Sequence, residues 1–304
     1  MSSVYPIDPV DMRRVPATTT TYSGVCHGTL GELLQGPFVR QDGLHIAIIS
    51  LPVRRYSWVH FAPAQDTRLD DDFAVKPKSR RAMEIYLALH GRSLPCGRWS
   101  YDSELLQGKG MASSTADMVA TIRCLDAIFG VHSSPELIAG ILRDIERSDS
   151  VFLEGHALYL SAQQEVVHHF SANPRFHLCY IDEGDPIDTQ AAGPALLAHY
   201  ERRLTDYLAN LHAAIGAFSA SDLTGICRCA TRSALLAQDA LPKRTLDVLA
   251  ARQARYKADG IVVAHTGSLV GYLYIQRPTP PEIGELSAFF RGLGYQCRFV
   301  ETGF

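Results

Sequence analysis

The chain has 304 residues, 46% of them hydrophobic and 20% charged, enough for one large domain or two medium ones with their own cores. Its net charge of −3 gives no overall case for binding nucleic acid or an anionic membrane. No apolar run approaches the roughly 20 residues a membrane helix needs. The start, "MSSVYPIDPVDMRR", lacks the apolar core of a signal peptide.

Residues 1–21 read as a flexible leader ending near Tyr22. "YSGVCHGTLGELLQG" then reads as a strand followed by a Gly-rich turn, and "LHIAIISLPVRRYSWVHFAP" as strands rich in β-branched and aromatic residues. In "SRRAMEIYLALHG", Met83, Tyr86, Leu87 and Leu89 make an apolar face ahead of a stop at Gly91, which predicts a helix. "GRWSYDSELL" is a further strand. Beyond it, Met118, Ile122, Leu125 and Phe129 recur at helical spacing and end at Gly130. A second helix starts at Ser134-Pro135-Glu136, an N-cap followed by proline, and buries Leu137, Ile138, Ile141, Leu142 and Ile145.

"RFHLCYID" opens a new block. Helices are predicted from Ala195 to about Phe218, from Leu223 to Gln238, and from Arg244 to Ala258 with Gly260 as cap. A strand "IVVAH", a turn "TGS", a strand "LVGYLYI", a helix from Pro281 to Leu293 and a strand "YQCRFVE" complete the chain. This order suggests an α+β sandwich with helices on one sheet face. A soft boundary falls near Ser171–Pro174, where turn residues gather.

The seven cysteines show no zinc spacing, and Cys227 and Cys229 would point apart on a helix. They read as reduced thiols of a cytoplasmic protein. The histidines show no metal-ligand spacing either, and His168–His169 reads as surface.

The segment with chemical content is "GKGMASSTADM", Gly108 to Met118. It fails the Walker pattern, because Lys109 is followed by Gly110 and Ser103 lies five before Gly108. It fails the dinucleotide pattern at Ser113. Small residues between a strand and a helix still let backbone N–H groups and the helix dipole approach an anion. Ser113, Ser114 and Thr115 add hydroxyls for phosphate or Mg²⁺, and Lys109 adds a positive charge. The alternative is a Ser/Thr-capped helix after a glycine turn, with Asp117 as a helix-start residue.

"GKGMASSTAD" resembles the second motif of the GHMP kinases, in the form found in the L-threonine kinase branch of cobalamin side-chain synthesis. "CHGTLGELLQG" (Cys26–Gly36), "IERSDSVF" (Ile145–Phe152) and "GIVVAHTGSLVG" (Gly260–Gly271) are similar to three further motifs of that branch, in the same order. The chain departs at Leu106, where a proline often stands, around Cys26–Leu30, and at Arg147, which replaces a proline. The last two departures fall nearer the acceptor than the nucleotide.

The resemblance implies a two-domain GHMP-kinase-like fold. Residues 22–172 would form an ATP-binding α+β domain with a left-handed βαβ crossover, against the general rule. Residues 173–304 would form a ferredoxin-like α/β sandwich, with the active site in the cleft between. It implies ATP and Mg²⁺ as cofactors, a small hydroxy amino acid as substrate, no nucleic-acid or membrane partner, and room for a homodimer.

Gly108, Lys109, Gly110, Met111, Ala112, Ser113, Ser114 and Thr115 would hold the triphosphate, with the Ser114 hydroxyl on the Mg²⁺ side. Lys109 would either neutralise phosphate charge or point into solvent. Asp149 would take the acceptor's proton or only orient its hydroxyl; otherwise it is a turn residue. Glu146 would assist Mg²⁺ or sit solvated at a helix end. Glu32 and Gln35 would bind the acceptor's ammonium and hydroxyl, and Thr266, Gly267 and Ser268 would close over phosphates or acceptor. His265 is expected to be structural. Threonine leads among acceptors, ahead of homoserine, serine or a secondary-metabolite precursor; a catalytically silent ATP and metabolite sensor is the alternative of another class.

Overall fold

A computed structural model describes residues 20–69, 71–184 and 193–304; the expected leader lies outside these apart from its last two residues. In chain order the elements are β1 (Tyr22–Arg40), β2 (Gly43–Pro63), β3 (Arg68–Leu69), α1 (Asp71–Ala74), α2 (Pro77–Leu89), β4 (Gly97–Ser103), α3 (Ser113–Phe129), α4 (Pro135–Arg143), β5 (Ala157–Leu160) and β6 (Glu165–His169). There follow β7 (His177–Asp182), α5 (Gly193–Arg202), α6 (Leu204–Ser219), α7 (Leu223–Ala237), α8 (Leu246–Arg252), β8 (Gly260–Val263), β9 (Leu269–Tyr274), α9 (Pro280–Gly292) and β10 (Arg298–Glu301).

Among the described residues the strands form one sheet in the order β10-β7-β9-β8-β1-β2-β4-β3, with the β5–β6 hairpin attached to β2. The two halves of the sheet, β10-β7-β9-β8 and β1-β2-β4-β3, join at a single β1–β8 pair, Glu32 with Val263. A bridge from Val53 to Thr302 brings the far edge back towards β2, so the sheet curls into a half-barrel. α3 packs on β1 and β2, and α6 and α7 pack on β1. The side chains of Met118, Ile122 and Leu125, as the periodicity predicts, are buried there.

The expected Gly-rich turn after the first strand is instead part of one bulged 19-residue strand. Register shifts fall between His27 and Gly28 and between Thr29 and Leu34, and Gly31 takes φ of 69° within them. A glycine at a bulge bends a strand without ending it. The bend aims Glu32 at the end of β8.

Other expectations also change. The 195–218 helix breaks at Arg203, whose guanidinium meets Asp206 and Asp239. The 244–258 helix shrinks to α8, and Gly260 starts β8 instead of capping it; Lys257, at φ 51°, takes the left-handed position. Leu89 is exposed. The β5–β6 hairpin was not legible in the sequence, and its consequences reach the site.

Candidate active site

α4 begins with a side-chain cap, the Ser134 hydroxyl accepting from Leu137 N–H. α3 does not. Its N-cap is Ala112, held at φ 51°, and no side chain closes the first turn. The unpaired N–H groups of that turn are therefore left to a ligand or water.

The loop leading into α3 is fixed from behind. The carbonyls of Lys109, Gly110 and Met111 accept from Ser268 N–H (3.1 Å), Gly31 N–H (3.1 Å) and Thr29 N–H (3.0 Å). In a trans peptide the C=O and the next N–H point opposite ways. The N–H groups of Gly110, Met111 and Ala112 thus face away from β1 and the β8–β9 turn.

Two glycines permit this packing. A Cβ on Gly110 would lie 2.2 Å from the Ala264 Cβ, and one on Gly267 would lie 2.2 Å from the Lys109 carbonyl oxygen. The loop and the β8–β9 turn are back to back with no room for a side chain on either.

In front of the loop is a cavity of about 590 Å³. From the predicted set it gathers Gly108, Gly110, Met111, Ala112, Ser113, Ser114, Thr115, Glu32, Gln35, Glu146, Asp149 and Thr266. Lys109, Gly267 and Ser268 do not line it. The Lys109 ammonium donates to the Gly184 carbonyl (2.7 Å) and lies 3.5 Å from the Asp182 carboxylate. Ser268 is buried and donates to Asp182 at 2.5 Å. Despite some burial, these hydrogen bonds and the lysine hold Asp182 below the usual carboxylate range.

Glu32 is buried at the strand bend. Its Oε2 accepts from both the backbone N–H (2.9 Å) and Nδ1 (2.8 Å) of His265. A carboxylate oxygen only accepts here, so Nδ1 carries the hydrogen. His265 Nε2 faces Ser233 Oγ at 3.0 Å, and Ser233 Oγ accepts from Gln35 N–H at 3.0 Å. Buried His265 is thus structural, as expected, but what it positions is the site carboxylate. The Gln35 side chain donates to Tyr200 Oη (3.1 Å).

Asp149 lies opposite, beyond the end of α4. The helix stops at Arg143, so Glu146 and Asp149 share no helix face. Their segment is held instead by the β5–β6 turn. Gln164, at φ 56°, accepts from the Ser148 hydroxyl (2.6 Å) and donates to the carbonyls of Glu146 (3.2 Å) and Ser161 (2.8 Å). Asp149 Oδ1 accepts from Ser50 Oγ at 3.1 Å. Burial and the nearby charge of Glu32 push the Asp149 carboxyl up to about 7, against the Ser50 hydrogen bond and the Arg147 charge.

Sequence reasoning missed Lys78, whose ammonium pairs with Glu146 at the cavity wall, and saw Arg147, which lines the same cavity, only as a departure from the family pattern. Single cations carry no motif. Asp117 proves to be a buried anchor: it pairs with Lys76 (2.8 Å) and accepts from Ser57 (2.8 Å) and Tyr101 (2.7 Å).

No described cluster of three or more His, Cys, Asp or Glu side chains is placed to hold a metal ion. Mg²⁺ bound with substrate phosphates needs only one or two protein ligands, the rest being water and phosphate oxygen. The Ser114 hydroxyl and the Glu146 carboxylate, both on the cavity wall, fit that donor set. No described helix is long and apolar enough to cross a membrane.

A bare helix start behind a glycine loop faces two carboxylates across one cavity, a layout suited to holding a phosphate beside a polar acceptor. Residues 79–155 match the family model for the GHMP kinases N terminal domain. Curated relatives are L-threonine kinases. That of Citrobacter freundii is 26% identical over 272 residues, covering 82% of this chain and 84% of the relative. That of Salmonella typhimurium is 27% identical over 258 residues, covering 82% and 81%.

Solved structures share the fold. They include L. major mevalonate kinase in complex with R-mevalonate (TM-score 0.70, 14% identity, 94% of this chain and 97% of that one). Homoserine kinase from Cytophaga hutchinsonii is also similar (0.66, 12%, 94% and 95%). So is Streptococcus pneumoniae phosphomevalonate kinase in complex with phosphomevalonate and AMPPNP (0.64, 13%, 94% and 99%).

Proposed function

We propose that this chain transfers the γ-phosphoryl group of ATP to the side-chain hydroxyl of a hydroxy amino acid, L-threonine giving O-phospho-L-threonine being the first choice. The observation that carries this reading is that one cavity holds both the open N–H groups of the Gly108–Thr115 loop and the pair Glu32 and Asp149. The curated L-threonine kinase relatives support threonine among the acceptors.

In this reading the triphosphate lies on the loop and on the start of α3, within the part of the chain up to about residue 172. β1 and the β8–β9 turn back that loop. Ser114 and Glu146 would hold Mg²⁺, which when bound neutralises phosphate charge. Lys78 keeps Glu146 at the wall. The acceptor lies between Glu32, which takes its ammonium, and Asp149, which takes its hydroxyl proton.

The oxygen so freed attacks the γ-phosphorus, the β–γ bridging bond breaks, and ADP leaves. Most of the rate gain in such transfers comes from positioning and charge neutralisation. Asp149, titrating near 7, is matched to proton acceptance at neutral pH.

The test is a panel of L-threonine, L-serine, L-homoserine and allo-threonine with Mg-ATP, read by ADP release and by ³¹P NMR of the product. One new phosphomonoester signal, formed in step with ADP, is expected. ATP binding without turnover of any acceptor would remove the kinase reading for these compounds and favour a sensor of the same fold.

A further inference from the structure

The cations around the cavity are unequally engaged. Lys78 is paired with Glu146 and Lys109 with Asp182. Lys243 is buried, with its ammonium on the carbonyls of His265 (3.2 Å) and Gly267 (2.7 Å). Arg147 lines the cavity, yet makes no ion pair or hydrogen bond with any described residue.

Its charge acts on two groups, and both lie on the acceptor side. Burial raises the pKa of Asp149 and of Tyr200, whose hydroxyl binds Gln35, and the Arg147 charge offsets part of each rise. Among the cavity-lining residues Glu32, Glu146 and Asp149 are acidic, and only Lys78 and Arg147 are basic. Without Arg147 an acceptor carrying its own carboxylate would meet three carboxylates and one lysine that is already paired.

Glu32 adds the complementary feature. Its Oε2 takes both hydrogen bonds from His265, Oε1 has no hydrogen bond to a described residue, and Glu32 is part of the cavity lining. The wall thus offers one open acceptor of an ammonium, one open cation, and one carboxyl for a hydroxyl.

We propose that Arg147 anchors the α-carboxylate of the acceptor, so that the site selects zwitterionic hydroxy amino acids over amino alcohols and amides of the same shape. This rests on the kinase reading above and adds the residue that grips the third polar group. A guanidinium suits the task because its planar fork matches both oxygens of a carboxylate. A lysine at the same place would supply charge without the fork.

The test compares L-threonine with L-threoninamide, which keeps the ammonium and hydroxyl but lacks the negative carboxylate, in the wild type, Arg147→Gln and Arg147→Lys. The wild type should favour threonine in kcat/KM by about 10- to 100-fold. Arg147→Gln should lose that preference by weakening threonine alone, mainly through KM, with the KM of ATP unchanged. Arg147→Lys should recover part of it. Equal losses on threonine and threoninamide, or a raised KM for ATP, overturn the assignment and leave the kinase reading intact. Should neither compound be phosphorylated by the wild type, threonine falls as the acceptor. Calorimetry of both compounds on wild type and Arg147→Gln then decides the carboxylate contact: threonine binding lost alone supports it, and equal or absent binding overturns it.

Discussion

Glu32 and Asp149 come from opposite ends of the N-terminal half of the sequence and face the same cavity, where the charge of one holds the proton on the other. Burial and Glu32 together place the Asp149 carboxyl at about 7. The acidic form is inactive as a base, so kcat/KM for the acceptor should rise with pH and level off above neutrality. Below the midpoint it should fall tenfold per pH unit. Glu32→Gln should move the midpoint down, because it removes a charge that disfavours ionisation. A pH–rate profile with an unmoved midpoint in that variant would show that burial alone sets it.

Asp149→Asn should lower kcat by roughly 10²–10⁴ if the carboxyl accepts a proton in the transition state. The same variant has a stability signature of defined sign. The native carboxyl keeps its proton up to about pH 7, whereas the unfolded one releases it near the ordinary 3.8. Between those values the unfolded chain binds fewer protons, so wild-type stability falls as pH rises. Asn has no proton to lose. Thermal unfolding should therefore show the variant gaining on the wild type from pH 4 to pH 8, with no gain at the acid end.

His265→Ala should raise the acceptor KM more than the ATP KM. It removes one of the two hydrogen bonds that His265 donates to Glu32 Oε2; the backbone N–H at 2.9 Å remains. Loss of a hydrogen bond to a charged group is worth about 1.5–3 kcal/mol. Steady-state kinetics with each substrate varied in turn separates the two effects. An equal rise in both KM values would mean that the whole turn has shifted.

Gly267→Ala should damage the nucleotide side from a residue that never meets the nucleotide. Its Cβ would stand 2.2 Å from the Lys109 carbonyl oxygen, so the loop must move or the turn must yield. Overpacking of this kind costs about 1–3 kcal/mol. The melting temperature should drop, and the KM of ATP should rise.

Ser114→Ala tests the metal-side hydroxyl directly. Turnover should fall by about 10²-fold, the scale of losing a transition-state contact, while thermal stability stays close to wild type. Wild-type activity would remove Ser114 from that role.

Much of this was legible in the sequence. α3 and α4 follow from their apolar spacing and from Gly130 and Ser134, because caps and periodicity are local signals. The glycine loop was legible for the same reason. The continuous β1 was not: Gly28 and Gly31 look the same in a turn and in a bulge, and only pairing with β2 distinguishes them. The β5–β6 hairpin escaped because its strands are short and its polar turn carries no glycine. With it went Gln164, which holds Glu146 and Ser148 from sixteen or more residues away. Arg147 was visible only as a departure from a family pattern, since an isolated arginine says nothing of what it faces.

The β8–β9 turn carries His265, which grips Glu32, and Gly267, which backs the phosphate loop. In the proposed reaction a few consecutive residues would therefore act as a gauge block between donor and acceptor, fixing the gap across which a phosphoryl group must travel. Lengthening that turn by one residue would misalign both substrates at once.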